Sequence, residues 1–110
     1  MSTNRMRPVH PGEVLKEEFL EPLDMSATAL AQALNVTPAR INEIVRGERG
    51  VSPETALRLA RYFNTSAEFW LNLQMTHDLR SAQIEFSRLI NSQILPLSPD
   101  LGGHAAGRRR

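Results

Sequence analysis

"NVTPARINEIVRGERG", residues 35–50, carries the punctuation of a short helix with both ends fixed. Thr37 is a suitable N-cap, Pro38 fits the first turn with its preset φ and missing N–H, and Gly47 can end the helix. Inside it, only Ile41, Ile44 and Val45 are apolar enough to require a core. On a wheel advancing about 100° per residue, Ala39, Glu43 and Arg46 fall opposite that stripe, with Arg40 and Asn42 on its shoulders. The outer side therefore offers a guanidinium, an amide, a carboxylate and a methyl. Such groups discriminate base edges in a DNA major groove: arginine suits guanine, asparagine suits adenine, and a carboxylate accepts from the cytosine amine. The wheel alone leaves open the alternative of an ordinary solvated face in a small bundle.

The flanking segments repeat the same grammar. Upstream, "DMSATALAQALNV" (24–36) has Ser26 as N-cap, Met25 as a staple onto Leu30, and Ala27, Leu30, Ala31 and Leu34 as the buried face. Asn35 is expected to close that helix in a left-handed conformation. Only Asn35 and Val36 then join it to the Thr37 helix. So short a link forces a sharp helix–turn–helix, in which the second helix enters the groove and its free N-terminal amides can hold a phosphate. Downstream, Val51, Ser52, Pro53 and Ala56 repeat the pattern, and Thr65 with Glu68 forms a candidate capping box for a fifth helix carrying Phe69, Trp70, Leu73 and Leu79. That seam continues through Ala82, Phe86, Leu89 and Ile90, with the polar residues 80–83 as a candidate break. At the N-terminal side, "HPGEVLKEEFLEPL" (10–23) begins a helix at His10 and Pro11, places Val14, Leu15 and Phe19 on one stripe, and ends near Pro22. Residues 93–98 read as extended around Pro96, and residues 98–110 as a flexible basic tail.

At 110 residues, with 41% hydrophobic and 23% charged residues, the chain has the length and balance of one globular domain. Six aromatics leave the core mainly to Leu, Ile, Val and Ala. No cysteine is present, which excludes disulfides, thiolate metal sites and thiol nucleophiles. No apolar run approaches the ~20 residues of a membrane helix, and no signal-peptide core opens the chain. A soluble, cytoplasmic protein is expected. His10, His77 and His104 lack metal-ligand spacing, Glu17 and Glu18 point to different sides of a helix, and no glycine-rich loop follows a strand. Phe69 and Trp70 read as core rather than as a ligand pocket. The expectation is a non-enzyme without metal, cofactor or small-molecule substrate. The formal net charge of +1 hides an asymmetry: residues 13–24 hold Glu13, Glu17, Glu18, Glu21 and Asp24 against Lys16 alone, whereas residues 37–61 hold Arg40, Arg46, Arg49, Arg58 and Arg61 against Glu43, Glu48 and Glu54, with Arg108, Arg109 and Arg110 last. An acidic face and an anion-binding face are expected on one domain.

Segment 26–47, "SATALAQALNVTPARINEIVRG", resembles the helix–turn–helix of the phage-repressor-like (XRE) family. "HPGEVLKEEFLEPL" (10–23), "RINEIVRGERG" (40–50), "ALRLARYFNTSAEFWLNLQ" (56–74) and "DL" (78–79) extend the likeness over residues 8–80 and resemble the HigA group of antitoxins. The resemblance implies an all-α, five-helix, lambda-repressor-like domain over 8–80, a homodimer that represses its own operon. Its implied partner is a HigB toxin, a RelE-like endoribonuclease that cuts messenger RNA on the ribosome. By position it places Ser26 at a phosphate, Thr37, Pro38, Ala39, Arg40 and Glu43 at the base-facing side, and Arg46 and Arg49 at the phosphate-side end. Asn42 joins this DNA-binding set from the wheel. Pro38 and Ala39 stand where some phage repressors have glutamines, so direct readout here rests on few side chains.

Beyond residue 80 the likeness fades. Residues 81–97, with Phe86, Leu89, Ile90, Ile94 and Leu95, are the candidate dimer contact. Glu13, Glu17, Glu18 and Glu21 are candidates for meeting a basic toxin, against the plainer reading of solvated charge. Two alternatives remain beside the antitoxin: an orphan regulator of the same fold, and a protein-binding module that does not touch DNA.

Overall fold

Helix starts are the best-specified feature of this chain, and five helices grow from them. The computed structural model describes residues 7–98; the tail residues 99–110, with His104, Arg108, Arg109 and Arg110, lie outside the described residues. Helix α1 is α-helical over Pro11–Val14 and continues as a π-helix over Leu15–Leu20. It is followed by α2 (Ala27–Leu34), α3 (Pro38–Val45), α4 (Pro53–Phe63) and α5 (Ala67–Gln93), with no strand among the described residues. The all-α expectation holds.

The caps explain the boundaries. Ser26, Thr37, Ser52 and Ser66 each accept the backbone N–H three residues on, at 3.0, 3.2, 3.2 and 3.0 Å, and a cap of this kind contributes about 1 kcal/mol. His10 caps α1 through Nδ1, which accepts from the Gly12 N–H two residues on at 2.8 Å, while the Glu13 carboxylate accepts from the His10 N–H. Asn35 and Asn64 end α2 and α4 at φ 60° and 59°, and Gly47 follows α3 at φ 78°. These are left-handed turns that asparagine and glycine adopt at least cost.

The core joins Leu15 and Leu20 of α1 to Leu30, Ala31 and Leu34 of α2, Ile41 and Ile44 of α3, Val51, Ala56 and Leu59 around α4, and Trp70 of α5. Phe19 sits at its rim, 4.7 Å from Phe63 and 5.1 Å from Trp70 between ring centroids. α1 packs so closely on α3 that a Cβ at Gly12 would overlap the Ile44 carbonyl oxygen. With α4 packed on α2, the helix–turn–helix pair is held from both sides.

Four expectations are corrected. The cap of α5 is Ser66, not Thr65. Thr65 Oγ1 instead accepts from the indole Nε1 of the buried Trp70 at 2.9 Å, because a buried indole N–H needs a partner. Residues 80–83 do not break the helix; α5 runs through them without interruption, since its hydrogen bonds are local and need no core. Leu79 belongs to no buried seam and is 56% exposed. Leu20 was absent from the expected stripe yet is buried, because the π-helical turn widens the period and brings it to the same side as Leu15.

Candidate nucleic-acid interface

Helix α3 turns Ile41 and Ile44 fully inward, with Val45 half-buried, and this leaves a polar outer side. Thr37, Pro38, Ala39, Arg46 and Arg49 are exposed, as is Ser26 at the start of α2. Arg40 and Asn42 are half-buried on the shoulders, and Glu43, on the outer side, is half-buried where Arg49 folds back onto it. Ser26 and Thr37 each satisfy one N-terminal amide of their helix, which fixes those two helix starts beside the turn at Asn35. An N-terminus with unpaired amides favours a phosphate.

The arginines do not float free. Arg49 Nε donates to Glu43 Oε1 at 2.7 Å, and Arg46 donates to both oxygens of Glu48 at 3.2 Å. The Glu43 carbonyl also accepts from the backbone N–H groups of Glu48 and Arg49. Glu43 thus shapes the loop that carries Arg49 and follows Arg46. At the loop's far end, the Val51 N–H donates to Gln74 Oε1 of α5 at 2.7 Å, and Gly50 lies against the same amide. Arg46 is held more firmly protonated by its hydrogen bonds and charge pairing with Glu48.

Asn42 donates through Nδ2 to the Pro38 carbonyl at 2.9 Å, one turn back. Nδ2 carries a second hydrogen, so one N–H and Oδ1 remain to meet N7 and N6 of an adenine while this bond fixes the rotamer. Arg40 leans toward α4, where its Nη1 lies 3.7 Å from Glu54 Oε1. The other Glu54 oxygen accepts from Nε and Nη2 of Arg58 at 3.0 and 2.8 Å. Hydrogen bonding and charge from Arg58, then the charge of Arg40, hold the Glu54 carboxyl below its ordinary range. Neither Glu54 nor the pairing role of Arg58 was singled out from the sequence. The signal was present as a Glu–Arg pair at i,i+4, a spacing that places the two on one helix face.

The remaining sequence candidates fall elsewhere. Glu17, Glu18 and Glu21 are exposed on or just after the π-helical part of α1. Glu13 is engaged, capping α1 and bound by Arg7 at 2.9 Å, whose guanidinium lowers its pKa. Phe86, Leu89, Ile90, Ile94 and Leu95 are all exposed at the far end of α5 and just beyond it, well removed in sequence from the helix–turn–helix. His10 and His77, distant in sequence, meet edge to face at 4.9 Å; no group of three or more metal-ligating side chains occurs among the described residues. None of the described helices is long and apolar enough to cross a membrane.

Residues 16–70 match the helix-turn-helix family. The chain is 54% identical over 97 residues to virulence-associated protein I of Dichelobacter nodosus, covering 88% of each. It is 39% identical over 79 residues to antitoxin HigA-1 of Vibrio cholerae, covering 72% of this chain and 74% of that one. Its fold superimposes with a TM-score of 0.82 on Pseudomonas aeruginosa antitoxin HigA, solved with the higBA promoter, at 49% identity over 84% of this chain and all of that one.

Proposed function

From the premise that this chain belongs to the helix-turn-helix family, among its HigA-type antitoxins, we propose that it is a sequence-specific DNA-binding repressor of its own operon. Acting in the cytoplasm as a homodimer, it also neutralises a HigB/RelE-like mRNA endoribonuclease. One observation carries the DNA reading: the polar side of α3 is open from Thr37 to Arg46, beside a turn fixed by the left-handed Asn35. Thr37, Pro38, Ala39, Arg40, Asn42 and Glu43 face the bases; Ser26, Arg46 and Arg49 take phosphates. The family relationship supports the same assignment, since the Pseudomonas HigA was solved with promoter DNA.

One copy offers few phosphate contacts. Two copies double them and match half-sites one helical turn apart. The exposed apolar side chains Phe86, Leu89, Ile90, Ile94 and Leu95 are suited to that pairing. Glu17, Glu18 and Glu21 remain free to attract a basic nuclease, with Glu13 a weaker contributor because Arg7 already holds it.

The test is a mobility shift and footprint on the chain's own upstream region, with and without the adjacent gene product. A protected pair of half-sites is expected, and Arg40→Ala is expected to cost roughly 1–3 kcal/mol of operator affinity and to relax base preference. An unchanged footprint and affinity for Arg40→Ala refutes the assigned face. Arg46→Ala and Arg49→Ala are expected to weaken all duplexes alike and flatten the salt dependence. Restoration of translation by adding the chain to a reaction poisoned by the toxin tests the second activity; continued messenger cleavage at excess antitoxin rejects it.

A further inference from the structure

The ion pair between α3 and α4 is one end of a longer relay. Arg58 spends its guanidinium on two partners: Nε and Nη2 on Glu54 Oε2, and Nη1 on the Leu34 carbonyl at 2.9 Å. That carbonyl is the last of α2, one of the groups a helix leaves without an internal partner. The second oxygen of Glu54 is left for Arg40 at 3.7 Å. Leu34, Arg58, Glu54 and Arg40 therefore link the end of the first motif helix to the side chain best suited to read guanine on the second.

The geometry points to Glu54 as a positioning residue that sets the specificity of DNA reading by orienting the Arg40 guanidinium, with Arg58 holding the carboxylate in place. The role rests on the DNA reading of α3 proposed above. Arginine has a long, rotamer-rich stem, and a free one on this surface attaches to any phosphate within reach. A carboxylate opposes that in two ways. It confines the guanidinium to the α4 side of the recognition helix, and it competes with phosphate for the same donors. Nonspecific attachment must break the pair for a contact that every sequence offers. A fixed Arg40 directed at a base edge enters the groove with less ordering left to do. Specificity, the ratio of operator to random affinity, rises even where operator affinity barely moves. Arg58 makes the restraint durable because its third contact is backbone, which cannot swing away.

A plainer role for Glu54 is favourable charge in the first turn of α4, where it sits next to Pro53. A double-mutant cycle separates the two, since a helix-end role does not depend on Arg40. Binding of the full-length chain to its operator duplex and to a scrambled duplex of equal length is measured by fluorescence anisotropy across a salt series. Wild type, Glu54→Gln, Arg40→Ala and the double variant are compared, with a thermal melt of each. Glu54→Gln is expected to lower the operator-to-scrambled ratio about two- to fivefold, the range of single exposed ion pairs. Most of that change is tighter scrambled binding, with a salt slope steeper by up to ~0.9 as one more cation finds a phosphate. In the Arg40→Ala background the same substitution is expected to change neither ratio nor slope. Glu54→Asp retains charge but withdraws the carboxylate by one methylene, and reproduces the loss of discrimination even if Glu54→Gln folds poorly. An unchanged ratio in both Glu54 variants overturns the role, as does an equal effect with and without Arg40. Failure of the wild-type chain to distinguish operator from scrambled duplex overturns the DNA reading itself, and this role with it.

Discussion

The two halves of α5 are one continuous helix of 27 residues with opposite fates. The first half is anchored. Trp70 is fully buried and bonded to Thr65, Gln74 holds the α3–α4 loop, and His77 rests against His10. From residue 82 to residue 98 every side chain is exposed, including Ile84, Phe86, Leu89, Ile90, Ile94, Leu95 and Leu97. Apolar content does not separate the halves. Location does: burial against the body of the domain ends at Ser81, and the helix continues on its own hydrogen bonds. A helix can thus be well formed where its apolar side chains have no partner among the described residues. Such a surface marks a place for contact with another molecule, and the homodimer proposed above gives it one.

The contrast is broken most severely at Trp70. Trp70→Ala is expected to cost about 3–5 kcal/mol in urea unfolding, because the cavity opens in the middle of the core. A loss near that of a surface substitution would mean that the first half is not anchored as described. Thr65→Val comes next. It leaves the buried indole N–H without an acceptor, at a cost of about 1–3 kcal/mol, while α5 retains its Ser66 cap and its helical circular dichroism.

The junction at His10 and His77 gives a smaller, pH-dependent effect. Burial, and then the neighbouring charge on His77, lower the pKa of His10. Its Nδ1 must also stay unprotonated to accept from Gly12. The unfolded chain takes up a proton near the ordinary histidine value of about 6.5, before the folded chain does. The contribution of His10 is therefore complete above that pH and declines as pH falls below it, through the lower folded value. Urea midpoints measured from neutral to mildly acidic pH are expected to fall in wild type. The fall should be shallower in His10→Asn, which keeps a capping oxygen without a titrating group; equal slopes remove His10 from the account.

Smallest of all is the intrinsic effect at the distal half. Leu89→Ala with Ile90→Ala is expected to change the unfolding free energy of the single chain by less than ~0.5 kcal/mol per site, as for exposed positions elsewhere. The same pair should reduce the mass in light scattering from two chains to one. A dimer that survives moves the interface away from the distal half of α5.

Much of this was legible in the residues. Thr37, Pro38 and Gly47 fenced α3; Ser26 and Asn35 fenced α2; and Ile41, Ile44 and Leu34 were correctly placed inside. The polar outer side of α3 followed by subtraction. What escaped depended on partners far along the chain. Thr65 and Ser66 are both eligible caps locally, and in the fold the Thr65 hydroxyl is taken by the indole of Trp70 while Ser66 caps the helix. His10 and His77 looked unrelated because sixty-odd residues separate them. The wheel places Asn42 and Arg40 on the shoulders of α3 but carries no sign that one binds its own helix and the other leans on α4.

The sequence by itself determined where helices begin and end, since capping and left-handed stops act over three or four residues and need only local chemistry. It also determined which side of the helix–turn–helix turns inward, because a helical period is written in the spacing of apolar residues. Only the tertiary structure decided that α1 loosens into a π-turn to bury Leu20, and that α5 outruns its core. It alone joined Arg40 through Glu54 and Arg58 to the end of α2. Those outcomes depend on which surfaces meet when the helices pack, and no short stretch of chain contains both surfaces.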